Sequence, residues 1–381
     1  MLAPDMRTRL FDSYAEIPAA EWNRLSAAAG EAQPFLQHAF LAGLESTGCT
    51  LPRTGWSPQL LTLWDDTAGL QAALPMYAKT HSMGEFVFDW SWADAYAQHR
   101  LPYYPKLTVA VPFSPIQGPR LLAADAAART ALLDAALAHA QEGDFSSLHI
   151  LFPAPEELPL LEEKGLLIRR GVQFHWQNPG YGSFEDFLGA LTSDKRKKIR
   201  QEQRRVREAG IRFERLTGAA IRPEHIEFAY ACYANTYHVR GRHPYLTPAF
   251  FRHLAATMAD NLLLVLALRD DEPIAMALNL YTGDTLWGRY WGCIEEVSCL
   301  HFDTCYYQAI DFCIDRGIKL FEGGAQGEHK LARGFMPTTT YSAHWVAHPE
   351  FRAAIGHFLQ RETQGIAEYI SELDDHSPFK P

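Results

Sequence analysis

The 381-residue sequence contains no apolar run near the eighteen or so residues that would cross a bilayer. Its longest candidate, Leu262 to Leu268, is closed by Arg269, Asp270, Asp271 and Glu272 and reads as a buried strand. The opening Met1-Leu2-Ala3-Pro4-Asp5-Met6-Arg7 has no basic region followed by an apolar stretch, the pattern of a secretory signal. Six cysteines, Cys49, Cys232, Cys293, Cys299, Cys305 and Cys313, show no Cys-x-x-Cys spacing and are too sparse for a disulfide scaffold. Together these absences predict a cytoplasmic protein. His301 and Cys305 stand at i and i+4, but no second pair completes a tetrahedral metal set, so none is expected. A Gly-x-Ser-x-Gly nucleophile elbow is missing too. The net charge of −10 argues against wholesale coating of nucleic acid.

What is present is an ordinary globular composition, 47% apolar and 21% charged, in a chain long enough for two cores. In the first half, strand patterns at Thr8–Tyr14, Leu60–Trp64, Leu70–Lys79, Glu85–Trp90 and Ser147–Phe152 surround helices at 18–28 and 125–141. The pattern restarts near Gly171. A strand at 172–177 precedes a short helix at 184–191 and a basic helix at 194–209, stopped by Gly210. A strand at 211–216 and helices at 223–237 and 248–258 follow. Three strands, 262–267, 274–281 and 285–290, suit an antiparallel meander. A helix at 301–316, strands near 319–322 and 342–347, and a closing helix at 349–372 complete the order of an α+β layer fold. Two domains, 1–171 and 172–381, are expected.

Several long strings resemble the FemAB-like N-acyltransferases of bacteria. They are Phe88-Asp89-Trp90-Ser91-Trp92-Ala93-Asp94-Ala95-Tyr96, Tyr103-Tyr104-Pro105-Lys106-Leu107, Val111-Pro112-Phe113-Ser114-Pro115, Lys195-Arg196-Lys197-Lys198-Ile199-Arg200 and Gly324 through Phe335. The resemblance spans nearly the whole chain. It implies two tandem acetyltransferase-like (GNAT-like) domains, as in the Fem transferases, which move amino acids from charged tRNA onto peptidoglycan precursors.

Three clusters carry candidate chemistry. Along the basic helix, Arg196, Arg200, Arg204 and Arg207 stack on one face, and Lys195 to Lys198 crowd the first turn against the helix dipole. Such a stripe suits phosphate; a solvated face eased by Glu202 and Glu208 is the alternative. Glu322, Glu328 and His329 flank a glycine turn and offer groups to deprotonate an attacking amine, while Gln326, Lys330 and Arg333 suit substrate or a developing oxyanion. Asp89, Trp90, Tyr103, Tyr104 and Lys106 form an aromatic, charged set that suits either a groove wall or the core; Arg289 and Tyr290 pose the same choice, and Arg242 follows a helix nearby.

Ordinary acetyltransferases cradle the coenzyme A pyrophosphate on a Gly-rich loop after the fourth strand. Here Gly292 to Leu300 has one glycine, and Glu295 and Glu296 oppose phosphate. Coenzyme A bound in the usual manner is therefore disfavoured, and the resemblance implies transfer of an acyl or aminoacyl group to a small-molecule amine in an interdomain cleft. The donor is an anionic carrier, aminoacyl-tRNA or acyl-CoA. A non-catalytic recognition module for a cell-wall precursor or RNA, and an acetyl-CoA-dependent N-acetyltransferase, are the alternatives.

Overall fold

The computed structural model describes residues 6–29, 33–324 and 327–380. Contacts divide the chain into two compact units, Met1–Gly171 with Thr339–Glu368, and Val172–Thr338 with Tyr369–Pro381.

In the first unit, β1 (Met6–Phe11), α1 (Ala19–Ala28) and α2 (His38–Ser46) lead into β2 (Trp56–Pro58), β3 (Leu60–Asp65), β4 (Gly69–Leu74) and β5 (Met76–Lys79). Then come α3 (Trp90–Gln98), β6 (Lys106–Val109), β7 (Leu122–Ala123), α4 (Ala126–Glu142), β8 (Ser147–Leu151) and α5 (Leu158–Glu163). One antiparallel sheet has the order β1-β3-β4-β7. In a second set, β6 runs parallel to β8 and antiparallel to β5, which pairs with β2. Asp125 caps α4 by accepting from the Ala128 amide at 2.8 Å, which explains why an alanine-rich stretch starts where it does. Leu63, Leu74, Val109, Leu132 and Ile150 are fully buried between these strands and α4.

Strand β9 (Leu167–Gln177) carries the chain into the second unit, which contains α6 (Phe184–Ala190), α7 (Ser193–Glu208), β10 (Ile211–Thr217), α8 (Pro223–His238) and α9 (Pro248–Thr257). An antiparallel meander follows β10: β11 (Leu262–Arg269), β12 (Glu272–Tyr281) and β13 (Thr285–Cys293). Next, α10 (Leu300–Phe302) passes through a π-helical turn (Asp303–Tyr307) into α11 (Gln308–Arg316), and β14 (Leu320–Glu322) pairs parallel with β13. A 3₁₀ turn (Glu328–Arg333), β15 (Met336–Val346) and α12 (Pro349–Asp375) close the chain. Each unit thus runs strand, two helices, antiparallel strands, helix, strand.

Helix α8 lies so close to β13 that a Cβ at Gly292 would stand 2.1 Å from the Cys232 carbonyl oxygen. Gly292, the one glycine of 292–300, thus lies within β13 and serves packing. Gly292→Ala is expected to cost about 1–3 kcal/mol, the usual range for overpacking, read as a lowered urea midpoint.

Three expectations about the fold change, and one strand is unforeseen. Glu85–Trp90 is not a strand: the chain is irregular to Asp89 and then forms α3, because Trp92 and Tyr96, one helical turn apart, are the residues that bury. Leu70–Lys79 is two strands interrupted at Pro75, which lacks the amide a continuous ladder needs. Short β6, with all four residues buried, has no alternation to reveal it. Finally, Thr339–Glu368 belongs with the first unit rather than with 172–381. The end of β15 pairs with β8 from Ser342↔Leu151 to Val346↔Ser147, and Ile355 and Leu359 of α12 pack with Trp92 and Tyr96.

Candidate functional site

The glycine turn of the second unit begins where two strands part. Strand β13 pairs with β14 only from Thr285↔Leu320 to Trp287↔Glu322. Beyond that, β13 runs on to Cys293 while the other chain turns at Gly323-Gly324, and Gly324 has φ +83. A Cβ at Gly323 would meet the Phe335 ring at 2.9 Å, and one at Gly324 would stand 3.6 Å from the Gly288 carbonyl oxygen. Only glycine gives this path without displacing its neighbours. Ala325 and Gln326 lie outside the described residues, so the expected role of Gln326 has no structural counterpart here.

Lys330 is buried at 3% exposure, and its Nζ donates to the Gly324 carbonyl at 3.0 Å. Burial pushes this ammonium down to about 8. The adjacent His329 is exposed, and its Nε2 lies 3.0 Å from the Tyr306 hydroxyl. Burial of part of its ring, with the Lys330 and Arg333 charges, lowers its pKa from the usual value, so the imidazole is neutral at pH 7. A neutral imidazole beside a buried ammonium can accept a proton from an amine while the cation faces negative charge.

The other predicted members of this cluster lie apart in environment. Glu322 is buried at the end of β14, opposite His175 in the register. Glu328 is exposed and accepts from the Tyr369 hydroxyl at 2.6 Å. Arg333 is buried, donates to the His329 carbonyl oxygen at 2.6 Å and to Glu202 at 2.7 Å, and lies 3.4 Å from the Phe302 ring centroid. Two of its nitrogens thus hold the turn to α7. Tyr306, His301 and Phe302 complete the surroundings of His329; the sequence shows His301 only as half of an incomplete metal pair and carries no sign of the other two. Helix α10 carries His301 and Phe302 and the π turn Tyr306, and no periodicity announces an extra residue in a helix.

Helix α7 buries Ile199, Glu202 and Val206, at i, i+3 and i+7, and turns its charge outward. Lys197, Arg200, Arg204 and Arg207 line a groove of about 780 Å³ with Gln201, Phe213, Asp303 and Gln308. Arg200 pairs with Glu185 at 2.5 Å and Arg204 with Glu208 at 3.7 Å, both on exposed atoms, where ion pairs contribute little. Lys195 and Arg196 are half-buried and are not among the lining residues. No residue described in the glycine turn lines this groove either. The link is on the opposite face of α7, where Glu202 accepts from Arg333 and from the Tyr307 hydroxyl.

Asp303 sits in the π turn at 3% exposure, accepting from Gln308 at 2.9 Å. Burial raises its carboxyl from 3.8 to about 6. A group protonated more readily when folded stabilises fully below its unfolded pKa and loses that contribution as pH rises through the folded one. Stability is therefore expected to fall between about pH 4 and 6, and Asp303→Asn to remove that fall and add roughly 2–3 kcal/mol at pH 7. Urea unfolding across pH checks this; a flat wild-type profile contradicts it.

Arg242, Arg289 and Tyr290 come together in a smaller groove of about 270 Å³, with Tyr233, Thr236, Tyr237, Arg240 and Trp291. Arg289 is the extra residue of a β-bulge: Leu278 opposes Tyr290 and Asn279 opposes Gly288, leaving Arg289 between them.

The aromatic set of the first unit becomes a buried polar chain. Lys106 is fully buried and donates to Glu85 at 2.8 Å, to Ser82 at 2.8 Å and to Asp89. The Tyr103 hydroxyl donates to Asp89 at 2.6 Å and lies 3.1 Å from His149 Nε2; His149 Nδ1 lies 2.6 Å from His344 Nδ1. Burial alone raises Asp89, but the Lys106 charge holds it at about 2, whereas burial drives His149 to about 3. Two neutral imidazoles joined Nδ1 to Nδ1 require one donor and one acceptor, so the pair holds complementary tautomers. Tyr104 is half-buried with its hydroxyl 2.8 Å from Ser82, and Trp90 is exposed. Of the groove-wall candidates, Asp89, Tyr103 and Lys106 thus lie inside the core.

The element order and the parting of β13 from β14 define an α+β fold of two tandem acetyltransferase-like units. Solved structures share it. The C-terminal domain of an Agrobacterium fabrum protein assigned as a lysylphosphatidylglycerol synthetase matches at TM-score 0.54 and 11% identity, covering 90% of this chain and 96% of its own. FemX matches at TM-score 0.54 and 11% identity, covering 89% and 98%. A Bacteroides thetaiotaomicron protein of unknown function matches at TM-score 0.55 and 11% identity, covering 90% and 100%. A search of curated proteins finds no match. A family model described as peptidoglycan biosynthesis/recognition matches residues 13–381, and the chain belongs to this FemAB-like family.

Proposed function

We propose that this protein transfers an acyl or aminoacyl group to an amine, with the reaction centre at the Gly323–Lys330 turn. The observation that carries the reading is Lys330: a buried ammonium on a glycine turn, beside a neutral imidazole, where β13 and β14 separate. The incoming amine attacks the carbonyl carbon of the donor ester or thioester. His329 accepts the amine proton, Lys330 faces the oxyanion, and the carrier leaves with the electron pair of the broken bond. No covalent enzyme intermediate is needed.

The α7 groove favours an anionic carrier, and family membership favours aminoacyl-tRNA as the donor and a cell-wall precursor amine as the acceptor. One argument against coenzyme A weakens: Glu295 is paired with Arg269, so its charge does not stand alone in the loop after β13. Purified protein given labelled aminoacyl-tRNA or acyl-CoA with a panel of amines is expected to move label from one donor class. RNA binding without transfer from either class would establish a recognition module instead. Arg200→Glu is expected to weaken tRNA affinity at low salt and to reduce its salt dependence, measured by filter binding. Unchanged affinity would remove α7 from the carrier site.

A further inference from the structure

We infer that the groove around the Arg289 bulge is a specificity subsite for a compact oxyanion group, carboxylate or phosphate, carried by the acceptor. This deepens the transferase reading and rests on it.

Three of the eight lining residues described are arginines, Arg240, Arg242 and Arg289, and none is acidic. The acidic protein around it makes that imbalance informative, since the whole chain carries −10. Planar guanidinium forks bind carboxylate and phosphate in pairs of parallel hydrogen bonds. The walls are rings: Tyr233 lies 5.1 Å from Tyr290 and 5.1 Å from Tyr237, and the Arg289 guanidinium lies 5.3 Å from the Tyr290 ring. Such walls keep an arginine flat and in place. Arg240 donates to the Thr236 carbonyl at the end of α8, which offsets the negative end of that helix dipole where an anion would otherwise be disfavoured. The volume, about 270 Å³, admits a small charged group and not a nucleotide-sized one.

The bulge places this groove next to the proposed chemistry. Arg289 follows Gly288, and a Cβ at Gly288 would lie 3.6 Å from the Glu322 carbonyl oxygen, immediately before the glycine turn. A regular strand would have kept residue 289 in the ladder; the extra residue re-aims it. An acceptor held by its anionic end here would present its amine within the same unit as His329 and Lys330.

Binding can be read without any donor, through the half-buried Trp291 in the groove. Full-length protein is titrated with inorganic pyrophosphate and, separately, with glutarate, following tryptophan fluorescence and heat. At least one anion is expected to saturate, and which one does so assigns the group as phosphate or carboxylate. Arg242→Ala and Arg289→Gln should each weaken it about tenfold, the loss of one charge-assisted hydrogen bond. Arg361→Ala, an exposed position of α12 that lines neither groove, should leave the affinity within about twofold. Trp291→Phe should abolish the fluorescence change and keep the heat. The inference is overturned if neither anion saturates, if both groove variants bind as the wild type does, or if Arg361→Ala weakens binding equally. Arg242 is exposed beyond α8, so its variant tests the groove even where substitution of strand residue Arg289 disturbs folding. Transfer without anion binding removes the subsite alone; binding without transfer removes the transferase reading alone.

Discussion

Lys106→Met should lower the stability of the protein by about 3–5 kcal/mol, the usual loss when one partner of a buried charge pair is removed. The reason lies in what is left behind. Glu85 and Asp89 are both at most 4% exposed, and Lys106 is the cation in contact with both. Lys79 approaches Glu85 only at 3.7 Å, and burial pushes that ammonium down to about 7. Without Lys106, burial drives both carboxyls toward the protonated form, so the loss should shrink as pH falls. In the wild type the sign is opposite. The Lys106 charge depresses Asp89 to about 2, so its contribution is present above about pH 4 and is lost only as pH falls toward 2. The triple variant Lys106→Met, Glu85→Gln, Asp89→Asn should recover much of the stability. Urea unfolding of the three proteins at pH 5 and 7.5 decides the matter; a Lys106→Met protein as stable as wild type would show that these carboxylates do not depend on it.

The second large effect concerns turnover. Lys330→Met is expected to reduce kcat by about 10²–10³, the range for loss of a preorganised group facing a developing oxyanion. Stability should hold or rise, because the substitution removes a charge that burial already disfavours. Those two readouts together separate a catalytic lysine from a structural one. In the wild type, activity should decline as pH rises through about 8, where the ammonium deprotonates. That limb should be absent from the residual activity of Lys330→Met. Retention of kcat within about threefold would exclude Lys330 from the chemistry.

The sequence revealed most of the second unit and less of the first, and the difference has a physical source. The meander β11 to β13 is bounded by charged turns, and α7 is amphipathic with Gly210 at its end, so period and punctuation agreed. In the first unit β6 is buried at every position, which erases the alternation that marks a strand; β8, equally buried, was nonetheless legible within Ser147–Phe152. Aromatic density was misleading there. Trp92 and Tyr103 sit in the core with His149 and His344, which are 195 residues apart, and no local pattern could join them. At the site, the glycine turn and Lys330 were legible as residue types. The commitment of Arg333 to Glu202 was not, because it pairs the inner face of a basic helix with a turn 131 residues on.

The return of Thr339–Glu368 to the first unit also governs the order in which the chain can assemble. During synthesis the first core lacks the strand segment Ser342–Val346 and the helix beneath it until every meander strand of the second unit has left the ribosome. The second unit in turn waits for Tyr369–Pro381. The first core reaches its finished composition only after the meander of the second unit has been made, so a polypeptide cut at Gly171 should behave as an unfinished core with β8 offering an open edge, and association of such fragments is the expected fate.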